Sequence, residues 1–278
     1  MKNKLSKVMT FSATDSTLGA GLQADILTLT SLGCYPLSIV TGVSVQDTIG
    51  VESLSAISSE LVNDQARIIL EDMEIAAFKC GVLGSVENIR AVAEIAADYP
   101  DIPLIIDPVL ASGRGDDLVN AEMMGAMTEL LFPQSFLITP NSYEARRLVI
   151  EGKENFEDIS INLCADRLKL QGCENILITG THENTKTVIN TLYEVSGEAT
   201  PFYWDRLPGI YHGSGCTLTS AVAGYMAQGL DLKSSVERAQ YFTWQTLKHA
   251  FKPGMGQYIP DRLFWTKNKG ENGSFKHN

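Results

Sequence analysis

The sequence of 278 residues lacks the signatures of several large protein classes. Its five cysteines include no Cys-x-x-Cys pair, which argues against a structural zinc site and against a disulfide framework. No apolar run approaches the roughly 20 residues that a transmembrane helix needs. Residues 1–16 contain lysines but no apolar segment, so we expect no secretory signal and a cytoplasmic location.

Positive charge is also scarce. The chain has 22 lysines and arginines against 33 aspartates and glutamates, which gives a formal net charge of −11. Because an acidic protein repels polyanions, neither nucleic acid nor an anionic membrane is an expected partner. A small molecule can still find a locally positive pocket, so we expect a small-molecule substrate.

Two common catalytic motifs are absent. The chain has no Gly-x-x-x-x-Gly-Lys-Ser/Thr stretch, which excludes an ordinary P-loop enzyme. Glycines flank Ser214 directly, so the Gly-x-Ser-x-Gly elbow of the α/β-hydrolases is missing too. His212 precedes Cys216 by four positions, but such local spacing is weak support for a cysteine hydrolase.

Two kinds of apolar pattern alternate along the chain. Runs rich in apolar residues, which suit a parallel sheet covered on both faces, occupy 8–13, 35–46, 74–83, 103–110, 135–141 and 175–180. Helical patterns occupy 19–34, 58–73, 86–100, 141–150, 161–173, the segment that ends at Gly229, and 232–251. This alternation predicts an α/β fold with right-handed crossovers and a mainly parallel sheet.

Residues 191–209 differ from the other segments, because their alternation predicts an antiparallel hairpin that turns at Ser196 and Gly197. No linker, repeat or change of composition divides the chain. We therefore predict one domain, residues 1–264, followed by a polar tail, residues 265–278.

The most informative stretch is HGSGCTLTSAVAG, residues 212–224. Gly213, Ser214 and Gly215 lead into Cys216 and a helix of small and apolar residues. The first amides of a helix have no partner within it, and the helix dipole favours negative charge there. Glycine lets a phosphate approach the backbone closely. The stretch predicts an anion hole for a transferred phosphoryl group, although a tight turn before a core helix explains it too.

Polar residues follow other apolar segments. Asp15 precedes a helix that carries Asp25, and Asp107 ends an apolar strand, where ligands bind in parallel sheets. Asn141 and Glu144 follow the next strand and share one face of a helix. Oxygen ligands of this kind suit Mg²⁺, but a helix capping box explains Asn141 and Glu144 equally well.

The segments that carry this chemistry follow one another in a fixed order: 19–51, 79–85, 105–113, 137–145 and 212–224. Together they resemble the bacterial hydroxymethylpyrimidine/phosphomethylpyrimidine kinases of thiamine biosynthesis, which belong to the ribokinase-like superfamily. The resemblance implies a three-layer α/β/α sandwich, the cofactors ATP and Mg²⁺, and a homodimer. It also implies phosphorylation of 4-amino-5-hydroxymethyl-2-methylpyrimidine and then of its monophosphate to the diphosphate.

The resemblance also implies a role for each matching residue. The pyrimidine would be bound by Asp25 and Gln46, within walls formed by Ala13, Val82 and Val109. The ATP phosphates and Mg²⁺ would be organised by Asp107, Asn141, Glu144 and Thr179, with Asp107 and Glu144 on the metal. The acceptor oxygen would lie in the anion hole of Gly213, Ser214, Gly215 and Cys216.

Some positions depart from the family pattern. Thr179 stands where a lysine usually binds the nucleotide phosphates, and Arg114 is the candidate substitute for a second lysine. A pyridoxal kinase on the same scaffold would also accept Gln46 and Cys216. A pyrimidine-binding regulator without turnover would account for the missing lysines. Because Cys216 begins a helix, we expect its pKa to be lowered toward the thiolate.

Overall fold

The computed structural model describes residues 5–111 and 115–267. Nine strands form its sheet: β1 (Lys7–Thr14), β2 (Tyr35–Gln46), β3 (Val51–Ala56), β4 (Ala77–Cys80), β5 (Leu104–Ile106), β6 (Leu137–Ile138), β7 (Ile176–Ile178), β8 (Thr187–Tyr193) and β9 (Ala199–Asp205). The α-helices of the described residues are α1 (Gly21–Ser31), α2 (Ser59–Asp72), α3 (Val86–Asp98), α4 (Ala121–Ala126), α5 (Ser142–Val149), α6 (Ile161–Leu170), α7 (Ser214–Ala227), α8 (Leu232–Lys248) and α9 (Phe264–Lys267).

Two sequence-based predictions fall partly or wholly outside the described residues. Arg114 lies outside them. The predicted polar tail, residues 265–278, lies outside them from residue 268 onward, and its first residues, 265–267, belong to α9. The assignment of residues 1–264 to a single domain stays a prediction. In the part of the chain that the structure describes, no helix is long and apolar enough to cross a membrane.

The sheet has the strand order β3-β2-β1-β4-β5-β6-β7-β8-β9. In this order, the neighbours from β2 to β7 pair in parallel. The pairs β2–β3, β7–β8 and β8–β9 are antiparallel. The predicted mainly parallel sheet is therefore confirmed. The predicted hairpin is also confirmed as β8 and β9, with Gly197 at φ 91° in its turn.

Apolar side chains cover both faces of the sheet. Phe11 and Ile106 face the core formed with α2 to α6, whereas Val8 and Ile105 face the core formed with α1, α7 and α8. Because adjacent strand residues point to opposite faces, burial on both sides requires runs that are apolar throughout. These two cores make the predicted three-layer sandwich.

The starts of helices α1 to α8 divide into two groups. A side chain caps each of α2, α3, α4, α5, α6 and α8; the caps are Ser58, Ser85, Asn120, Asn141, Ser160 and Asp231. No side-chain hydrogen bond caps α1 or α7, which pack against each other. The amides at these two starts are therefore left without the usual side-chain acceptor.

Candidate active site

The predicted site residues gather at the edge of the sheet where the parallel strands end. In strand order, the residues at or just beyond these ends are Gln46, Ala13, Val82, Asp107, Asn141 and Thr179. The amide of Ala13 donates to the carbonyl of Val82 over 2.9 Å, and that of Val109 donates to Asp107 over 2.8 Å. This is the edge at which open α/β sheets bind their ligands.

The predicted anion hole is an open helix start. Gly213 precedes α7 in the left-handed conformation, with φ 79°, and no side chain caps the helix. The first hydrogen bond of α7 runs from the amide of Thr217 to the carbonyl of Gly213 over 3.0 Å. The amides of Ser214, Gly215 and Cys216 lie within this first turn. Their placement suits the binding of an anion.

Asp107 lies beside this helix start. A Cβ atom built on Gly215 would lie 3.6 Å from one carboxylate oxygen of Asp107 and 3.7 Å from the other. The thiol of Cys216 also bonds to Asp107. Burial raises the pKa of Asp107 to about 6, although the charge of Lys79 opposes this shift. Its buried Oδ2 has no hydrogen-bond partner within the described residues.

Glu144 and Asn141 form the capping box that the sequence left open as an alternative. The amide of Asn141 donates to Glu144 Oε2, and the amide of Glu144 donates to Asn141 Oδ1, both over 2.9 Å. Glu144 Oε1 also accepts from the amide of Leu110 over 3.3 Å. Burial, reinforced by the neighbouring charge of Asp107, raises the pKa of Glu144 to about 8. Within the described ranges, no three acidic, histidine or cysteine side chains form a ready metal cluster.

Thr179 is joined to this box through the backbone. Its amide donates to the carbonyl of Pro140, and its carbonyl accepts from the amide of Ser142, each over 2.9 Å. The side chain of Thr179 is half-buried at the end of β7. The structure thus brings Thr179, Asn141, Glu144 and Asp107 into one continuous region.

The expected thiolate at Cys216 is wrong. Burial raises the pKa of the Cys216 thiol, and the neighbouring charge of Asp107 raises it further. The positive charge of Lys79 offsets only part of this effect. Burial therefore outweighs the effect of the helix start on the pKa of Cys216, and the thiol stays protonated at neutral pH.

Asp25 lies elsewhere than expected. It is fully buried, with 0% exposure, and both of its carboxylate oxygens accept from Lys79 Nζ, over 2.9 and 3.0 Å. Ser220 donates to the same carboxylate over 2.7 Å. The expected direct contact with the pyrimidine is not what this geometry offers, because the side chain has no surface open to a ligand. Asp25 instead joins α1, β4 and α7 beneath the site.

Gln46 borders a cavity at the β3 side of the sheet. This cavity, of about 940 Å³, lies along β3 and residues 116–118, and its lining includes the acidic side chains of Asp47 and Glu52. Neither Asp107 nor Cys216 belongs to that lining. The cavity therefore adjoins the predicted pyrimidine end of the site and leaves out the anion hole.

Sequence reasoning did not find the pairing of Asp15 with His212. Their side chains meet over 2.7 Å, and the Asp15 carboxylate also accepts from the amides of Thr17 and Ala20. Burial would raise the pKa of Asp15, but hydrogen bonds from His212, Gln46 and Thr17 outweigh burial and lower it. Asp15 is therefore a buried carboxylate whose hydrogen bonds order the loop before α1. No local sequence pattern predicts a contact between two residues that are 197 positions apart.

Lys79 and Arg262 were also missed as parts of the site. Lys79 carried a visible signal, since it is a charged residue with apolar neighbours on both sides in the run 74–83. Arg262 had none, because it lies outside every segment that carries the resemblance. Both are almost completely buried, and both lie close to the start of α7.

The three-layer sandwich, with an open helix start beside buried carboxylates, is the architecture of a ribokinase-like kinase. The chain belongs to the phosphomethylpyrimidine kinase family, whose sequence profile matches residues 15–261.

Three relatives illustrate this membership. The chain is 32% identical to the hydroxymethylpyrimidine/phosphomethylpyrimidine kinase of Haemophilus influenzae, over 91% of this chain and 95% of that one. It is 33% identical to the enzyme of the same name from Mycobacterium leprae, over 93% and 94% of the two chains. It is also 33% identical to the thiamine biosynthesis bifunctional protein ThiED of Geobacter sulfurreducens, over 90% of this chain but only half of that protein.

Solved structures support the same fold. The pyridoxal kinase of Staphylococcus aureus in complex with pyridoxal superposes with a TM-score of 0.82, at 26% identity and over 94% of both chains. The phosphomethylpyrimidine kinase of Clostridium difficile superposes with a TM-score of 0.74, at 26% identity, over 88% of this chain and all of that one.

Proposed function

We propose that the chain uses ATP to phosphorylate 4-amino-5-hydroxymethyl-2-methylpyrimidine, and then its monophosphate to the diphosphate, for thiamine biosynthesis. One observation carries the proposal: the uncapped start of α7 lies directly against the buried carboxylate of Asp107. The names of the Haemophilus and Mycobacterium relatives support the choice of substrate.

The transfer of a phosphoryl group needs positioning and stabilisation of negative charge more than covalent chemistry. The amides of Ser214, Gly215 and Cys216 would stabilise charge on the transferred group. A primary alcohol loses its proton late in a loose transition state, so no strong base is required. The protonated thiol of Cys216 therefore serves as a contact beside the acceptor oxygen.

The carboxylates at the site suit Mg²⁺. Asp107 Oδ2 is buried without a partner in the described structure. Burial opposes the ionisation of both Asp107 and Glu144, and the charge of Asp107 further opposes the ionisation of Glu144. A hard cation with oxygen ligands relieves both conditions. Asp107 and Glu144 would hold the metal, which neutralises charge on the ATP phosphates. A complex of the Staphylococcus aureus pyridoxal kinase with the ATP analogue AMP-PCP supports the use of ATP.

Gln46 is the residue proposed to bind the edge of the pyrimidine. Its amide offers a donor and an acceptor, which match the edge of an aminopyrimidine. Gln46 is half-buried at the end of β2, close to the strand ends that carry Ala13 and Val82. Val109 follows β5 and completes the proposed walls of the slot.

The direct experiment measures ADP release with ATP, Mg²⁺ and hydroxymethylpyrimidine. Parallel reactions contain pyridoxal, no acceptor, or EDTA in place of Mg²⁺. Turnover that depends on the pyrimidine and on Mg²⁺ supports the proposal. Binding of the pyrimidine without ADP release would instead favour a regulator that has lost turnover.

Pyridoxal phosphorylation is the second candidate. It is favoured by the TM-score of 0.82 to the Staphylococcus aureus pyridoxal kinase, against 0.74 to the Clostridium difficile phosphomethylpyrimidine kinase. The same assay separates the two functions. Faster turnover with pyridoxal than with the pyrimidine would replace the leading proposal.

We further propose a cytoplasmic homodimer. Support comes from β2, near the β3 edge of the sheet, where Val43 and Val45 remain 48% and 60% exposed. Exposed apolar side chains that lie close together on one surface favour contact with another chain. Light scattering after size-exclusion chromatography should give twice the chain mass, and a monomer at assay concentration would contradict the homodimer.

A further inference from the structure

Arg262 lies behind the anion hole and reaches two distant parts of the chain. Its Nε donates to Thr217 Oγ1 over 3.0 Å, and one terminal nitrogen donates to the carbonyl of Leu18 over 3.0 Å. The other terminal nitrogen donates to the carbonyls of Gly19 and Gly213, over 2.6 and 3.4 Å. The side chain is 2% exposed, so water competes little for these bonds.

The two segments that Arg262 joins also fit closely against each other. A Cβ atom on Gly213 would overlap the carbonyl oxygen of Gly19, so the backbones are in direct contact. Thr217 Oγ1, which accepts from Arg262, itself donates to the carbonyl of Gly213 over 2.8 Å. The guanidinium thus completes a network that begins within the first turn of α7.

Of the two segments that Arg262 joins, residues 15–20 and residues 213–217, the first has a strained backbone. Leu18 has a φ of 63°, a left-handed conformation that it alone adopts among the described non-glycine residues. Such a conformation is unfavourable for a non-glycine residue and persists where the surroundings hold it. Asp15 holds the segment from one side through the amides of Thr17 and Ala20. Arg262 holds the other side through two consecutive carbonyls.

The charge of Arg262 has a consequence for the anion hole. Burial lowers the pKa of Arg262 to about 10, so the guanidinium remains charged at neutral pH. A buried positive charge acts over a longer range than an exposed one, because the surrounding medium screens it less. This charge lies at the same helix start whose amides face the proposed phosphoryl group.

We propose that Arg262 is a positioning residue for phosphoryl transfer, which locks residues 15–20 and residues 213–217 into one rigid anion site. It acts through the backbone that it holds and contacts neither the acceptor nor the phosphates. Its effect on turnover rests on the proposed kinase function. The lock itself rests on the contacts alone.

Three variants test the lock: Arg262→Met, Arg262→Lys and, as a matched control, Arg167→Met. Arg167 also donates to a backbone carbonyl, that of Val149 over 3.1 Å, and pairs with Glu154, but it lies on α6. Hydrogen exchange should accelerate in peptides that cover residues 15–20 and 213–217 of Arg262→Met. It should stay unchanged there in Arg167→Met.

Kinetics give the second readout. Arg262→Met should lower kcat between about 10- and 100-fold, the effect of a small misplacement of reacting groups, while KM for the pyrimidine changes less than kcat. Arg262→Lys should recover only part of kcat, because an ammonium group cannot reproduce the planar fork of a guanidinium. Arg167→Met should keep the wild-type kcat even where its melting temperature falls.

Two results would overturn the inference: wild-type exchange in both segments of Arg262→Met, or faster exchange there with unchanged kcat. If Arg262→Met does not fold, Arg262→Lys is judged by the same two readouts. If the wild-type chain shows no turnover with the pyrimidine or pyridoxal, the proposed function fails. The exchange pattern then decides the lock by itself.

Discussion

A methyl group added at Gly213 tests the contact on which the anion hole depends. Gly213 has a φ of 79°, and its new Cβ atom would overlap the carbonyl oxygen of Gly19. That carbonyl cannot move away freely, because it accepts from Arg262 over 2.6 Å. Gly213→Ala should therefore displace residues 15–20 or tilt the first turn of α7.

Gly229, at the other end of α7, provides the matched control. It has a φ of 91°, and an added Cβ atom would meet nothing within 4 Å. The left-handed conformation costs an alanine about 1–2 kcal/mol at either position. Overpacking adds about 1–3 kcal/mol at Gly213 alone. We expect Gly213→Ala to be destabilised by about 2 kcal/mol more than Gly229→Ala.

Urea unfolding measures the free energy of both variants, and ADP release measures their turnover. Gly229→Ala should keep the wild-type kcat, whereas Gly213→Ala should lose about 100-fold, as expected for a displacement near 1 Å at the reacting groups. Equal destabilisation of the two variants, with kcat retained in both, would refute the claim that residues 15–20 fix the anion hole.

Three further substitutions probe the site. Cys216→Ala should lower kcat more than it raises KM for the pyrimidine, and an unchanged kcat would remove Cys216 from the chemistry. Gln46→Ala should raise KM for the pyrimidine by about tenfold, the value of one hydrogen bond, and leave ATP binding intact; equal loss of both would indicate a damaged fold. Asp15→Asn should cost about 2 kcal/mol in urea unfolding at pH 7. Because folding lowers the pKa of Asp15, its contribution is complete above the unfolded value of 3.8 and declines as the pH falls below it. The difference from wild type should therefore narrow at pH 3, and a constant difference would contradict this account.

The fold was predictable where burial leaves a mark on neighbouring residues. The run 35–46 matches β2 because its residues are consecutive in a strand. Of the predicted run 103–110, only Leu104–Ile106 forms a strand, β5, because the chain leaves the sheet at Asp107 and Pro108. The edge strand β3 was missed, since its side chains are largely exposed and carry little apolar pattern.

The site was predictable only as far as its geometry is local. The helix start at Gly213 and the pair of Asn141 and Glu144 depend on residues within four positions, so the sequence displays them. The pKa of Cys216 depends on burial by other elements, and local reasoning gave the wrong direction. Two partners of Arg262, Leu18 and Gly19, lie more than 240 positions away, beyond the reach of any periodic pattern.

The bonds from Arg262 to Leu18 and Gly19 join two parts of the site that are 243 to 244 positions apart in the sequence. Chains are synthesised from the amino terminus, and a domain generally folds as one unit. Residues 15–20 therefore leave the ribosome long before Arg262 does. The bonds that hold the two segments of the anion site together can form only after residue 262 has been synthesised.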